Sequence, residues 1–129
     1  MTTIPILAAA LAAQALPALA AVQWEEVAED SGGRYSIDPT SIARTGDRVR
    51  FLMRAFAARA EADGTSSAVV RYLIDCRART SGMLAVDFYR GDAFSNSHQA
   101  GENEVRLRPI EAGTGEVALH RRVCGGGAS

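Results

Sequence analysis

The clearest alternation of apolar and polar side chains runs from Asp47 to Ala57, DRVRFLMRAFA. Val49, Phe51, Met53 and Ala55 point one way, and Arg48, Arg50, Leu52 and Arg54 the other. A period of two with one apolar side predicts a strand with one face on a core and one in water. Ala68 to Cys76, AVVRYLIDC, predicts another strand. Ala68, Val70, Tyr72, Ile74 and Cys76 share its core side, and Val69, Arg71, Leu73 and Asp75 the other. The polar connection Arg59–Ser67 carries Asp63-Gly64, a turn signal that makes the two strands a hairpin.

Weaker patterns fill the rest. Val22–Ala28 predicts a short strand with Trp24 as a core anchor, and the turn Glu29–Gly33 leads into a strand over Arg34–Asp38. Asp38-Pro39 suits a single helical turn with Asp38 as its cap, and Arg44–Asp47 is a further turn. After a turn over Arg77–Gly82, Met83–Arg90 predicts a strand with Leu84, Val86 and Phe88 inward. That places Asp87 outward, within reach of Arg71 or Arg54. Ala93–Ser97 reads as a brief strand and Glu104–Arg108 as an edge strand before Pro109.

From Thr114 to Cys124 the period changes to that of a helix, with Val117, Leu119 and Val123 apolar. Thr114 is the expected N-cap, Glu116 an acid in the first turn, and Arg121 and Arg122 bases in the last, with Gly125 as the stop. The expected class is therefore α+β: an antiparallel sheet of about six strands with a C-terminal helix.

The first 21 residues hold no charged side chain, and Ala18-Leu19-Ala20 follows an apolar run and Pro17. This predicts a signal peptide over residues 1–20, a single domain over 21–124 and a disordered tail over 125–129. The apolar run is too short for a comfortable membrane span, and no cysteine follows it to take a lipid. The mature protein is expected to be soluble, without a stable membrane span, and periplasmic or secreted.

Export makes a disulfide between Cys76 and Cys124 permissible, two unrelated buried thiols being the other reading. Closing that loop would stabilise the fold by about 4 kcal/mol in the chain-entropy description. All 14 basic residues are arginine, set against 15 acids, so no overall field draws in nucleic acid.

Candidate chemistry is sparse. His98 and His120 lie in different segments without a partner at metal-ligand spacing, and the cysteines lack redox spacing. No catalytic motif occurs, so neither an enzyme, a cofactor nor a metal site is expected. Arg48, Arg50, Arg54 and Arg71 form a candidate binding face on the open side of the sheet. The competing reading is a solvated face neutralised by Asp75, Asp87 and nearby glutamates.

Trp24, the run RYSIDPTSIARTGDRVRF from Arg34 to Phe51, YLIDCRART from Tyr72 to Thr80, and Pro109 followed by a helix ending on Cys124 together form a signature. It resembles the surface-adhesin protein E family of proteobacterial exported proteins. The resemblance implies about six antiparallel strands, a C-terminal helix and a disulfide joining Cys76 to Cys124. It also implies a homodimer as an oligomeric option and, for the founding adhesin, binding of host matrix and serum proteins. The expected function is an exported non-enzymatic binding module with a protein partner in the envelope or outside the cell. The alternative is a surface adhesin for host extracellular-matrix or serum proteins.

Overall fold

A computed structural model describes residues 22–125. The expected leader over 1–20 lies outside the described residues, as does the expected tail over 125–129 apart from Gly125. Eight strands form one antiparallel sheet: β1 (Glu25–Asp30), β2 (Gly33–Ile37), β3 (Ala43–Thr45), β4 (Arg48–Ala57), β5 (Ser67–Asp75), β6 (Thr80–Arg90), β7 (Ala93–Gln99) and β8 (Arg108–Pro109). Six follow the order β1-β2-β4-β5-β6-β7, while short β3 and β8 pair with β4 and β6. The helix α1 spans Gly115–Val123. Among the described residues no helix is long and apolar enough to cross a membrane.

The alternation read in the sequence builds the core row by row. Ile37, Met53, Val70 and Val86 are register partners across β2, β4, β5 and β6. Phe51 pairs with Tyr72, their rings 5.7 Å apart edge to face, and Val49 pairs with Ile74. Leu119 and Val123 of α1 close this cluster. Burying such side chains stabilises by roughly 1.5–3 kcal/mol each.

The Asp-Pro-Thr-Ser segment explains itself in the sheet. Between its pairing with β2 and with β3, β4 needs partners for the backbone of Leu52. Asp38 N–H donates to the Leu52 carbonyl at 3.0 Å, and Leu52 N–H donates to Ser41 Oγ at 2.8 Å. Asp38 Oδ1 in turn accepts from Thr40 N–H and holds the 3₁₀ turn Pro39–Ser41. The segment thus satisfies a ladder that would otherwise be open.

Helix α1 runs antiparallel beside β1. Gly115 lies at Asp30, and Arg122 makes a two-pronged pair with Glu25 at 2.8 and 3.1 Å. The same helix reaches β5 and β6, where Glu116 accepts from the hydroxyls of Tyr72 and Ser81. In a flat sheet β1 and β6 would stand four spacings of about 4.8 Å apart, so the sheet curls around the helix. Cys124 then meets Cys76 in a disulfide with Cα atoms 5.7 Å apart.

Several expectations need correction. Glu104–Arg108 is not an edge strand: a 3₁₀ turn covers Glu102–Glu104, and only Arg108–Pro109 pairs, with Thr80 and Ser81. Val105 and Leu107 instead pack over Gly82, where an added Cβ would lie 2.6 and 3.0 Å from them. β6 begins at Thr80, so the preceding turn is shorter than expected, and Arg79 takes a φ of 59° in it. A register shift between Arg71 and Tyr72 disturbs the phase in β6, and buried Leu84 lies outside the helix-covered cluster. Leu73 is fully buried on the side expected to face water. Trp24 is half-buried and likewise outside that cluster.

Candidate binding surfaces

The sheet has two faces and two edges on which a partner can be held. On the face away from α1, alternation places Arg48, Arg50 and Arg54 of β4 beside Arg71 of β5, as the sequence predicts. Their surroundings differ. Arg48 Nε lies 3.9 Å from Asp75 Oδ2. Arg50 is paired with Glu102, which the chain returns 52 residues later. The guanidinium of Arg54 lies 4.7 Å from the Trp24 ring and 4.8 Å from the Phe56 ring, its Nε buried without a hydrogen-bond partner among the described residues. Arg34 covers Phe56 at 5.3 Å and comes within 3.9 Å of Glu26. Of the four candidate arginines, Arg71 alone has neither an ion pair nor an aromatic partner among the described residues. Asp87 pairs with neither Arg54 nor Arg71.

The histidines are apart. His98 is exposed on β7. His120, expected on an exposed helix side, is half-buried with Nε2 3.1 Å from the Cys76 carbonyl. That oxygen only accepts, so Nε2 carries the proton in this bond.

On the concave face the helix covers only part of the sheet. Beyond Tyr35 lies an open cleft of about 890 Å³. Its floor is one register row: Tyr35, Ala55, Ala68, Phe88 and Asn96 on β2, β4, β5, β6 and β7. The loop from Glu61 to Ser66 forms one wall and Arg90 stands beside it. Asp63 accepts from Thr65 N–H at 2.9 Å, which fixes that loop and holds its carboxyl below the usual range. The sequence signal for the cleft was the set of small residues in the core-facing phase, Ala55, Ala57 and Ala68, which leave space that larger residues would fill.

The two edges contrast. β1 carries four acids in six residues, Glu25, Glu26, Glu29 and Asp30, and has α1 beside it. β7, AFSNSHQ, has no charged residue and no proline, and six of its seven residues are exposed. Phe94 on it is 58% exposed and meets Tyr89 edge to face at 5.9 Å. Natural edge strands are commonly blunted by charges, proline or a covering element, and β7 has none of these among the described residues.

The disulfide, the curled sheet and the helix laid along β1 accompany a match to a family model described as surface-adhesin protein E over residues 24–125. The chain belongs to the surface-adhesin protein E family. Among solved structures it is similar to protein E of Haemophilus influenzae, with a TM-score of 0.56 and 14% identity over 82% of this chain and 90% of that one. At that identity the likeness speaks for the fold. A comparison with curated proteins gives no match. Membership in the surface-adhesin protein E family makes the chain an adhesin-like binding module. The Asp38–Ser41 segment and the two cysteines hold the scaffold together.

Proposed function

We propose that this protein is an exported, non-enzymatic binding module of the bacterial envelope that takes an extended segment of a protein partner along β7. Family membership supports a binding module with a partner outside the cytoplasm. The observation that carries the mode of contact is the contrast between the acidic, helix-flanked β1 and the uncharged, open β7. An added strand gains affinity from backbone hydrogen bonds and specificity from alternate side chains. Phe94 supplies an apolar contact at one end of the strand.

The test compares partner binding by wild type and Ser97→Lys, which places a charge on the edge while leaving the core untouched. Loss of binding is the expected result, and full retention contradicts the reading. A homodimer through the same edge is a competing occupant, and sedimentation of the purified protein separates the two.

The family description also favours a second reading, a surface adhesin, for which we propose host extracellular-matrix or serum proteins as ligands. It requires exposure at the cell surface. Cell fractionation decides it: a purely periplasmic pool contradicts adhesion as the main role. The mass of the exported protein reports whether residues 1–20 are removed.

A further inference from the structure

The concave cleft offers a different chemistry from the β7 edge. Its floor is small and apolar, Ala55, Ala57 and Ala68, between the aromatic rings of Tyr35 and Phe88. Its rim is polar. Among the described residues the side chains of Glu61, Arg90 and Ser95 have no hydrogen-bond or ion-pair partner, and the amide nitrogen of Asn96 has none either. The stem of Arg90 passes the turn at Gly64, where an added Cβ would lie 3.6 Å from its Cδ. This keeps the guanidinium beside the loop that carries Glu61 and Asp63.

These groups argue against two ligand classes in turn. An anionic ligand would face the carboxylates of Glu61 and Asp63, against one arginine. A purely apolar ligand would desolvate that arginine, a hydroxyl and an amide without replacing their hydrogen bonds. A ligand that uses every group is neutral, rich in hydroxyls, and has one apolar face. Its hydroxyls can donate to Glu61, accept from Arg90 and Asn96, and exchange hydrogen bonds with Ser95. Its apolar face can lie on Phe88 or Tyr35 over the alanine floor. The volume lies within the usual range for small-ligand sites.

We infer that the cleft floored by Tyr35, Ala55, Ala68 and Phe88 binds a neutral saccharide, with Glu61, Arg90 and Asn96 as its polar contacts. This goes beyond strand addition and does not rest on it, since an added strand uses the backbone of β7.

The test is a titration of the isotope-labelled protein, followed by amide chemical shifts, with maltotriose, chitotriose and lactose, and with a sulfated heparin disaccharide as the charged probe. The expected result is saturable movement of the Ala55, Ala57, Ala68 and Asn96 amides with at least one neutral sugar. Glu61→Ala and Asn96→Ala should each weaken that binding about fivefold, as loss of one hydrogen bond implies, while Arg121→Ala leaves it unchanged. Glu61 is exposed on a loop, so its substitution leaves the fold intact, as the unchanged remainder of the spectrum would report. Absence of shifts with all three neutral sugars, unchanged affinity in both variants, or preference for the sulfated probe overturns the inference. Ser97→Lys tests the β7 contact separately, so either idea can fail alone.

Discussion

Asp30 Oδ2 accepts the backbone N–H of Gly115 at 2.7 Å, so the side chain that caps α1 comes from a hairpin 85 residues earlier. Thr114, the local candidate, donates its hydroxyl to the Glu111 carbonyl instead. Asp30 Oδ1 also accepts from Gly32 N–H, Gly33 N–H and the Tyr35 hydroxyl at 2.8, 3.2 and 3.0 Å. One carboxylate therefore holds the β1–β2 turn, a core-facing tyrosine and the helix start. Asp30→Ala should cost about 1 kcal/mol or more in urea unfolding at neutral pH, the usual worth of a helix cap.

The same bonds set a pH dependence. The Gly115 N–H, followed by the turn donors, holds the Asp30 carboxyl below its ordinary value, partly opposed by burial. A lowered folded pKa means stabilisation that is complete above the unfolded value, about 3.9, and is lost as pH falls through the folded one. Asp30→Asn should therefore flatten the acid limb of the stability curve. An unchanged acid limb in the variant would argue against the assignment.

The disulfide anchors the other end of the helix. Replacing Cys76 and Cys124 by serine together should cost about 4 kcal/mol, from a loop closed over a separation of 48 residues. Reductant should lower the wild-type urea midpoint by a similar amount and leave the double variant unchanged. Equal midpoints for oxidised and reduced wild type would contradict the stapling role.

On the outer face, Trp24 and Arg54 should behave as a coupled pair. Trp24→Ala should cost about 0.5–2 kcal/mol, the range for a cation over an aromatic ring. Arg54→Lys should also lose stability, because a compact ammonium cannot stack between two rings as a planar guanidinium does. A double-mutant cycle in urea checks this: additive losses would show that the two are independent.

Gly33 is required by a close approach of two backbones. A Cβ there would lie 2.0 Å from the Phe56 carbonyl oxygen. Gly33→Ala should destabilise by about 3 kcal/mol. Gly46→Ala, at a φ of 63° but with open space around it, should cost only about 1 kcal/mol. Thermal melts of the two variants compare them directly, and equal losses would contradict the steric account.

Strands were legible where one face alone is buried. Arg48–Ala57 alternates because the core lies on one side, the Ala68 strand does so up to Leu73, which is buried on the other face, and the helix shows its own period because one side of it meets the core. The Glu104–Arg108 alternation misled because Val105 and Leu107 cover Gly82 from an irregular segment, which gives the same pattern without a ladder. Alternation also placed four arginines on one face but could not show what neutralises them. Glu102 comes to Arg50 from 52 residues away, and Trp24 to Arg54 through the curl of the sheet. The cap from Asp30 was hidden similarly, since Thr114 offered a local answer. The open edge was half visible: Ala93–Ser97 reads as a brief strand, but its place as the last strand depends on the pairing of β6 with β7.

The most direct test of the β7 contact is the affinity of the purified protein for a protein partner, measured for wild type, Ser97→Lys and Arg71→Ala. Strand addition along β7 predicts at least a tenfold loss for Ser97→Lys, about 1.4 kcal/mol, with Arg71→Ala near wild type. Wild-type affinity in Ser97→Lys, with the loss appearing in Arg71→Ala, would contradict it and move the contact to the arginine face.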